Sequence, residues 1–228
     1  MKKKLASFFT CFFIILIFGG VVFFIGWTQF KIEPNNFGIL VSKTNGIKSQ
    51  PINSGKFSWN WQFLIPTNAQ LKIFTQEPYS ITKTVKNSLP NGAIYKELYN
   101  KNLDFSYELD FSINVKISPE NTLKLLQENL ITDQTSLTNY INKAAEVATQ
   151  TITTYCLKNS EKNINFRPES ISSEELISIS NISEQSPELE FTSINIISSK
   201  LLDYDLYIKA RNLYIQNFDT LNKKIAEI

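Results

Sequence analysis

Between Leu103 and Ile117 the chain reads LDFSYELDFSINVKI, and this stretch decides the fold. Its odd positions, Leu103, Phe105, Tyr107, Leu109, Phe111, Ile113, Val115 and Ile117, are apolar or aromatic. The even positions, Asp104, Ser106, Glu108, Asp110, Ser112, Asn114 and Lys116, are all polar. Strand side chains alternate between two faces, so a strict period of two describes a long antiparallel strand with one buried and one wet face. The period then changes. Ser118-Pro119-Glu120 supplies a capping hydroxyl, a proline for the first turn and an early acid, and Leu123, Leu126 and Leu130 give the next helix an apolar stripe. Asp133 is placed to cap a longer helix carrying Leu137, Ile141, Ala144, Ala148, Ile152 and Tyr155 on one side. A strand that feeds helices makes the class α+β.

Toward the N-terminus, no charged residue occurs from Leu5 to Phe30. A helix over Leu5–Trp27 is about 35 Å long, enough for a hydrocarbon core of about 30 Å. Leu5, Phe8, Phe12, Ile15, Leu16, Val22 and Phe24 would face lipid, with Trp27 at the interface. A cleaved signal peptide shares the leading lysines, but this apolar run is longer than its usual core and no small-x-small site follows. Residues 1–30 are therefore expected to be a stub and a transmembrane anchor. Lys2, Lys3 and Lys4 hold that end in the cytoplasm, so the rest is extracytoplasmic, on the periplasmic side of a bacterial inner membrane.

Between anchor and long strand, Phe37, Ile39 and Val41 alternate up to the turn Asn45-Gly46. Phe57, Trp59, Trp61, Phe63 and Ile65 share one face of a second predicted strand. Trp59 and Trp61 there are either an aromatic core under a sheet or an edge dipping into the outer leaflet. Leu71, Ile73, Tyr79 and Ile81 read as one strand interrupted at Pro78 and lying at a sheet edge, and the region around Leu89-Pro90-Asn91-Gly92 as a loop. On the far side, a short helix is expected over Glu174–Ser180. A strand through Leu189, Phe191, Ile194 and Ile196 slips in phase by one residue, as at a bulge. Beyond residue 200, Tyr204, Tyr207, Arg211, Tyr214, Phe218, Leu221, Ile225 and Ile228 recur at steps of three and four. They read as a coiled-coil seam or as an amphipathic helix folded on its own domain. Tyr214, Phe218, Leu221, Ile225 and Ile228 are the candidate contacts between copies.

The composition removes several chemistries. The 228 residues contain no histidine, so imidazole bases, triads and the commonest metal ligand are absent. Of the two cysteines, Cys11 lies in the anchor and Cys156 stands alone, which leaves no thiol pair for a disulfide or zinc outside the bilayer. Setting aside the three leading lysines takes the formal charge from +2 to −1, so no electrostatic case for nucleic acid exists. The expectation is a non-enzymatic protein with no cofactor.

Several of these segments together resemble one family. Phe37-Gly38-Ile39-Leu40-Val41 after a single anchor, Gly55-Lys56-Phe57 leading to Leu64-Ile65-Pro66-Thr67-Asn68, Phe111–Ile117 feeding Ser118-Pro119-Glu120, and Ile194-Asn195-Ile196 before the terminal helix are similar to the SPFH or band-7 superfamily. That superfamily includes stomatins, prohibitins, flotillins and the paired HflK/HflC proteins. The resemblance implies an SPFH-like domain of antiparallel strands followed by helices over residues 31–200, with a C-terminal helix over 201–228. It also implies scaffolding on membrane lipid, homo-oligomerisation, and as further partners a membrane protease or a second SPFH-like subunit. A structural subunit or a ligand-sensing module of another bacterial envelope complex is the competing expectation.

Overall fold

The computed structural model describes residues 2–28, 31–99 and 102–226. Along the chain come α1 (Lys2–Gly26), β1 (Asn36–Ser42), β2 (Gly46–Ile47), β3 (Ile52–Asn53), β4 (Ala69–Thr75), β5 (Tyr79–Ser88) and α2 (Gly92–Tyr99). They are followed by β6 (Ser106–Ile117), α3 (Pro119–Gln127), α4 (Gln134–Lys162), α5 (Ser173–Ser180), α6 (Ile182–Gln185), β7 (Leu189–Lys200) and α7 (Tyr204–Ala226). The class is α+β. The chain divides into two compact units, Met1–Pro78 with Lys116–Ile141, and Tyr79–Val115 with Asn142–Ile228.

In the first unit β1 is the centre of a sheet. β4 pairs along its whole length, from Asn36↔Thr75 to Ser42↔Ala69, while β2 and β3 share its other edge. Phe37, Ile39 and Leu40 are buried, and the Phe37 ring stacks on Phe74. Gly46, with φ of +67°, makes the expected turn into β2. The helix after β6 starts as its sequence requires, with Ser118 Oγ accepting from Asn121 N at 3.1 Å and Pro119 at the first position. Asp133 caps α4 through Ser136 N at 2.7 Å. Leu123 and Leu126 are buried as expected, but α3 ends at Gln127, so Leu130 falls beyond it and is exposed while Leu125 enters the core.

The second unit is built on β5-β6-β7. β6 carries the alternation into space: Leu109, Phe111, Ile113 and Val115 are fully buried. Its wet face is laced by polar pairs, Asp110 with Thr84 and Ser198, Asn114 with Ser80 and Ser193, and Glu108 with Lys86. On β7 burial skips from Phe191 to Ile194, the expected one-residue slip.

Three expectations need correction. Phe57 to Ile65 is not a strand: a single bridge joins Trp59 to Trp27, and Trp61–Leu64 is a 3-10 turn. An alternating pattern needs a neighbouring strand to make a ladder, and none lies there among the described residues. Leu71 to Ile81 is two strands in two sheets, β4 and β5, because Pro78 ends one pairing before the other begins. The region around Leu89-Pro90-Asn91-Gly92 is a loop only as far as Asn91; α2 starts at Gly92, with Tyr95 N bonded to Asn91 O.

Candidate functional site

Two features gather the residues singled out in the sequence. The first is where α1 ends. The last four carbonyls of a helix have no partner within it. Here the first unit supplies one for each. Phe23 O accepts from the Trp59 indole Nε1 at 3.1 Å, Phe24 O from Trp27 N at 3.3 Å, Ile25 O from Lys31 Nζ at 3.5 Å, and Gly26 O from Asn60 N at 2.8 Å. Thr28 is buried beside them and bonds Ser58 O through both its N–H and its hydroxyl. Lys31 also places its ammonium 4.0 Å above the Phe63 ring, and a cation at a helix C-terminus is favoured by the dipole.

An aromatic collar surrounds this joint. Phe57 stacks on Phe23 with ring centroids 6.0 Å apart, and Trp27 packs at 5.4 to 6.1 Å against Phe23, Phe24 and Phe57. Trp59 and Trp61 remain 38% and 49% exposed, with Phe57, Leu64 and Ile65 also on the surface. Of the two readings of these tryptophans, the structure places neither in a core. Gly26 is what lets the collar close, because a Cβ there would overlap the Trp59 indole. The sequence hid this joint, since Trp59 lies 36 residues from the carbonyl that it caps.

The second feature is α7. Asp203 caps it through Leu206 N. Leu206, Tyr207, Ala210 and Tyr214 close over Tyr95 of α2 and over Phe105. The Tyr95 ring lies 5.7 Å from Tyr207 and 5.4 Å from Tyr214, and Tyr207 Oη donates to Pro90 O at 2.8 Å. That covering stops after Tyr214. Phe218, Leu221 and Ile225 continue the same face and are 53%, 58% and 69% exposed. Ile228 lies outside the described residues.

No known family model matches the chain. It is similar to an uncharacterized protein of Treponema pallidum (strain Nichols), 29% identical over 140 residues. The match covers 60% of this chain and 47% of that protein, so the chain spans about half the length of the relative.

The remaining predicted residues fall on α1. From Ser7 to Gly26 this helix is long and apolar enough to cross a membrane. Phe8, Phe12, Ile15, Leu16 and Phe24 are exposed on it and Val22 is half-buried; of the Leu5 side chain nothing is described. Cys156 is fully buried in α4, and burial pushes its thiol up to about 12, far from the thiolate that a nucleophile or metal ligand needs. No group of acids and thiols is arranged to hold a metal among the described residues.

Proposed function

We propose that this protein is a single-pass membrane scaffold of the SPFH type, which self-associates at the surface of a bacterial inner membrane. Lys2, Lys3 and Lys4 stay in the cytoplasm and both folded units lie on the periplasmic side. The carrying observation is the joint at Phe23 to Gly26, where each terminal carbonyl of a helix without charge from Leu5 onward has a partner in the first unit. A span that leaves the bilayer must satisfy these groups, and a helix made to be cleaved off has no use for such a seat. The collar of Phe57, Trp59 and Trp61 suits the headgroup layer, where amphipathic rings are favoured. Self-association is assigned to the bare end of α7, because a contiguous apolar stripe on a soluble helix marks an interaction surface. A membrane protease or a second SPFH-like subunit is the partner class that the resemblance suggests.

Fusions placed behind α7 test the topology. Alkaline phosphatase should be active and Sec-exported green fluorescent protein dark; the reverse pair places the units in the cytoplasm. Chemical crosslinking in native membranes should give a ladder of multiples of the chain. Monomer alone at crosslinker saturation overturns the scaffold. The ligand-sensing alternative is favoured by one observation, a hollow of about 420 Å³ between the end of α4 and the start of α7, with Glu161, Phe166 and Asp203 in its wall.

A further inference from the structure

The three-stranded sheet has two edges, and they are finished differently. The β7 edge is closed. Ile194 N donates to Ser173 Oγ of α5 at 2.9 Å, and Ser199 Oγ donates to Glu169 in the 3-10 turn Pro168–Ser170, so both elements are seated on the strand. The β5 edge is open. β5 pairs with β6 over ten consecutive residues, from Tyr79↔Val115 to Ser88↔Ser106, and among the described residues no strand pairs on its other side. Among the described residues, no hydrogen bond from another element reaches the outer backbone of Ser80 to Asn87. The strand has no proline and no glycine, and Tyr79, Ile81, Thr82, Thr84 and Val85 are residue types that favour extended structure.

Proteins usually blunt so long an edge. Here a single device is present. On the inner face Tyr79, Ile81, Lys83 and Val85 stand opposite the buried Val115, Ile113, Phe111 and Leu109. Lys83 therefore sits half-buried between two apolar neighbours, and no ion pair or hydrogen bond joins its ammonium to any described residue. Lys86, on the wet face, is already held by Glu108 at 2.8 Å. β5 itself contains two lysines and no acid. A second copy pairing through β5 would bring four lysines together and leave Lys83 without a counter-charge, and like charges across a strand pair are destabilising. An extended segment with an acid between two apolar residues meets each need at once. It completes the ladder, covers Ile81 and Val85, and pairs Lys83.

We infer that the β5 edge is a strand-addition site for an acidic, extended segment of a partner protein, with Lys83 as its selectivity residue. Main-chain bonds supply affinity in this mode and alternate side chains supply choice. The inference does not depend on the scaffold reading.

The test uses the full chain in detergent micelles and two labelled heptapeptides that alternate threonine and valine, with glutamate or lysine at the centre. The glutamate peptide should bind, and the lysine peptide about tenfold more weakly, the range set by one attractive against one repulsive cross-strand pair. Amide hydrogen exchange should slow at alternate β5 residues between Ser80 and Asn87 and stay unchanged on β7. Lys83→Glu, with circular dichroism confirming its fold, should reverse the peptide preference. Equal binding of both peptides, protection elsewhere than β5, or no binding at all overturns the proposal, the last leaving Lys83 as a guard against aggregation. Slow exchange of the outer β5 amides without peptide, lost on dilution, identifies a second copy as the occupant and overturns it too.

Discussion

α1 and α7 are both long helices that leave apolar side chains uncovered, but they do so in opposite ways. On α1 the exposed residues, among them Phe8, Phe12, Phe13, Ile14, Ile15, Ile17 and Phe18, lie all round the cylinder. On α7 the exposed large residues beyond Tyr214 lie mainly along one stripe, and the same stripe is covered for its first turns by Tyr95 and Phe105. A helix apolar on every side calls for an isotropic surrounding, which lipid provides, whereas a helix apolar on one side calls for a surface with one orientation, which protein provides. The angular distribution of the exposed residues, more than their number, separates a solvent from a partner.

The comparison breaks most easily within α7. Ala210 is fully buried under the covered half, so Ala210→Asp should cost about 3 kcal/mol in urea unfolding of the protein in micelles, from an unpaired charge in an apolar contact. If the midpoint does not move, the covered half is not a packed interface. Replacing both Leu221 and Ile225 by Asp should change stability by no more than about 0.5 kcal/mol, since both are exposed, yet reduce the particle seen by light scattering. An unchanged particle means that the bare end of α7 does not carry the proposed self-association.

At the other helix, Gly26→Val should displace the Trp59 indole and cost about 1 to 2 kcal/mol by overpacking. Tryptophan emission should shift red and proteolysis after the span should accelerate, while Gly19→Val, where a Cβ meets nothing, should do neither. Equal effects at the two glycines would mean that the joint is not closed. The smallest effect concerns charge. The Lys200 ammonium bonded to Asp104, aided by Ser106, holds that carboxyl well below the usual carboxylate range. A depressed acid contributes stability that is present above its unfolded value of about 4 and is lost as pH falls through the folded value. The urea midpoint should therefore decline on acidification below about pH 4, and less steeply for Lys200→Ala.

Legibility followed the range of the contacts. β6 could be read because eight alternating positions feel the same two environments, and the starts of α3 and α4 because Ser118 and Asp133 bond residues three places away. The strand expected over Phe57 to Ile65 failed for the converse reason. Alternating aromatics signal a sheet only when a neighbouring strand exists, and here Trp59 and Asn60 serve a helix end more than thirty residues distant. α2 was hidden by its own start, because Pro90-Asn91-Gly92 punctuates a chain in the same way whether a loop or a helix follows. The edge position of β5 was marked by Pro78 just before it, but the length of the open edge was not, since only the pairing of the whole sheet reveals how far the ladder runs.

The joint at the end of α1 fixes more than attachment. Successive carbonyls of a helix all point along its axis but stand about 100° apart around it, so the partners at Phe23, Phe24, Ile25 and Gly26 meet the helix end at different bearings. A hinge would let α1 turn about its axis; the bonds from the Trp59 indole and from Asn60 N hold it at one heading relative to the first unit, as a key locks a shaft. α1 therefore presents the same meridian relative to Trp59. If α1 crosses a membrane beside other copies, as proposed above, its compass heading is already set by the unit to which it is joined.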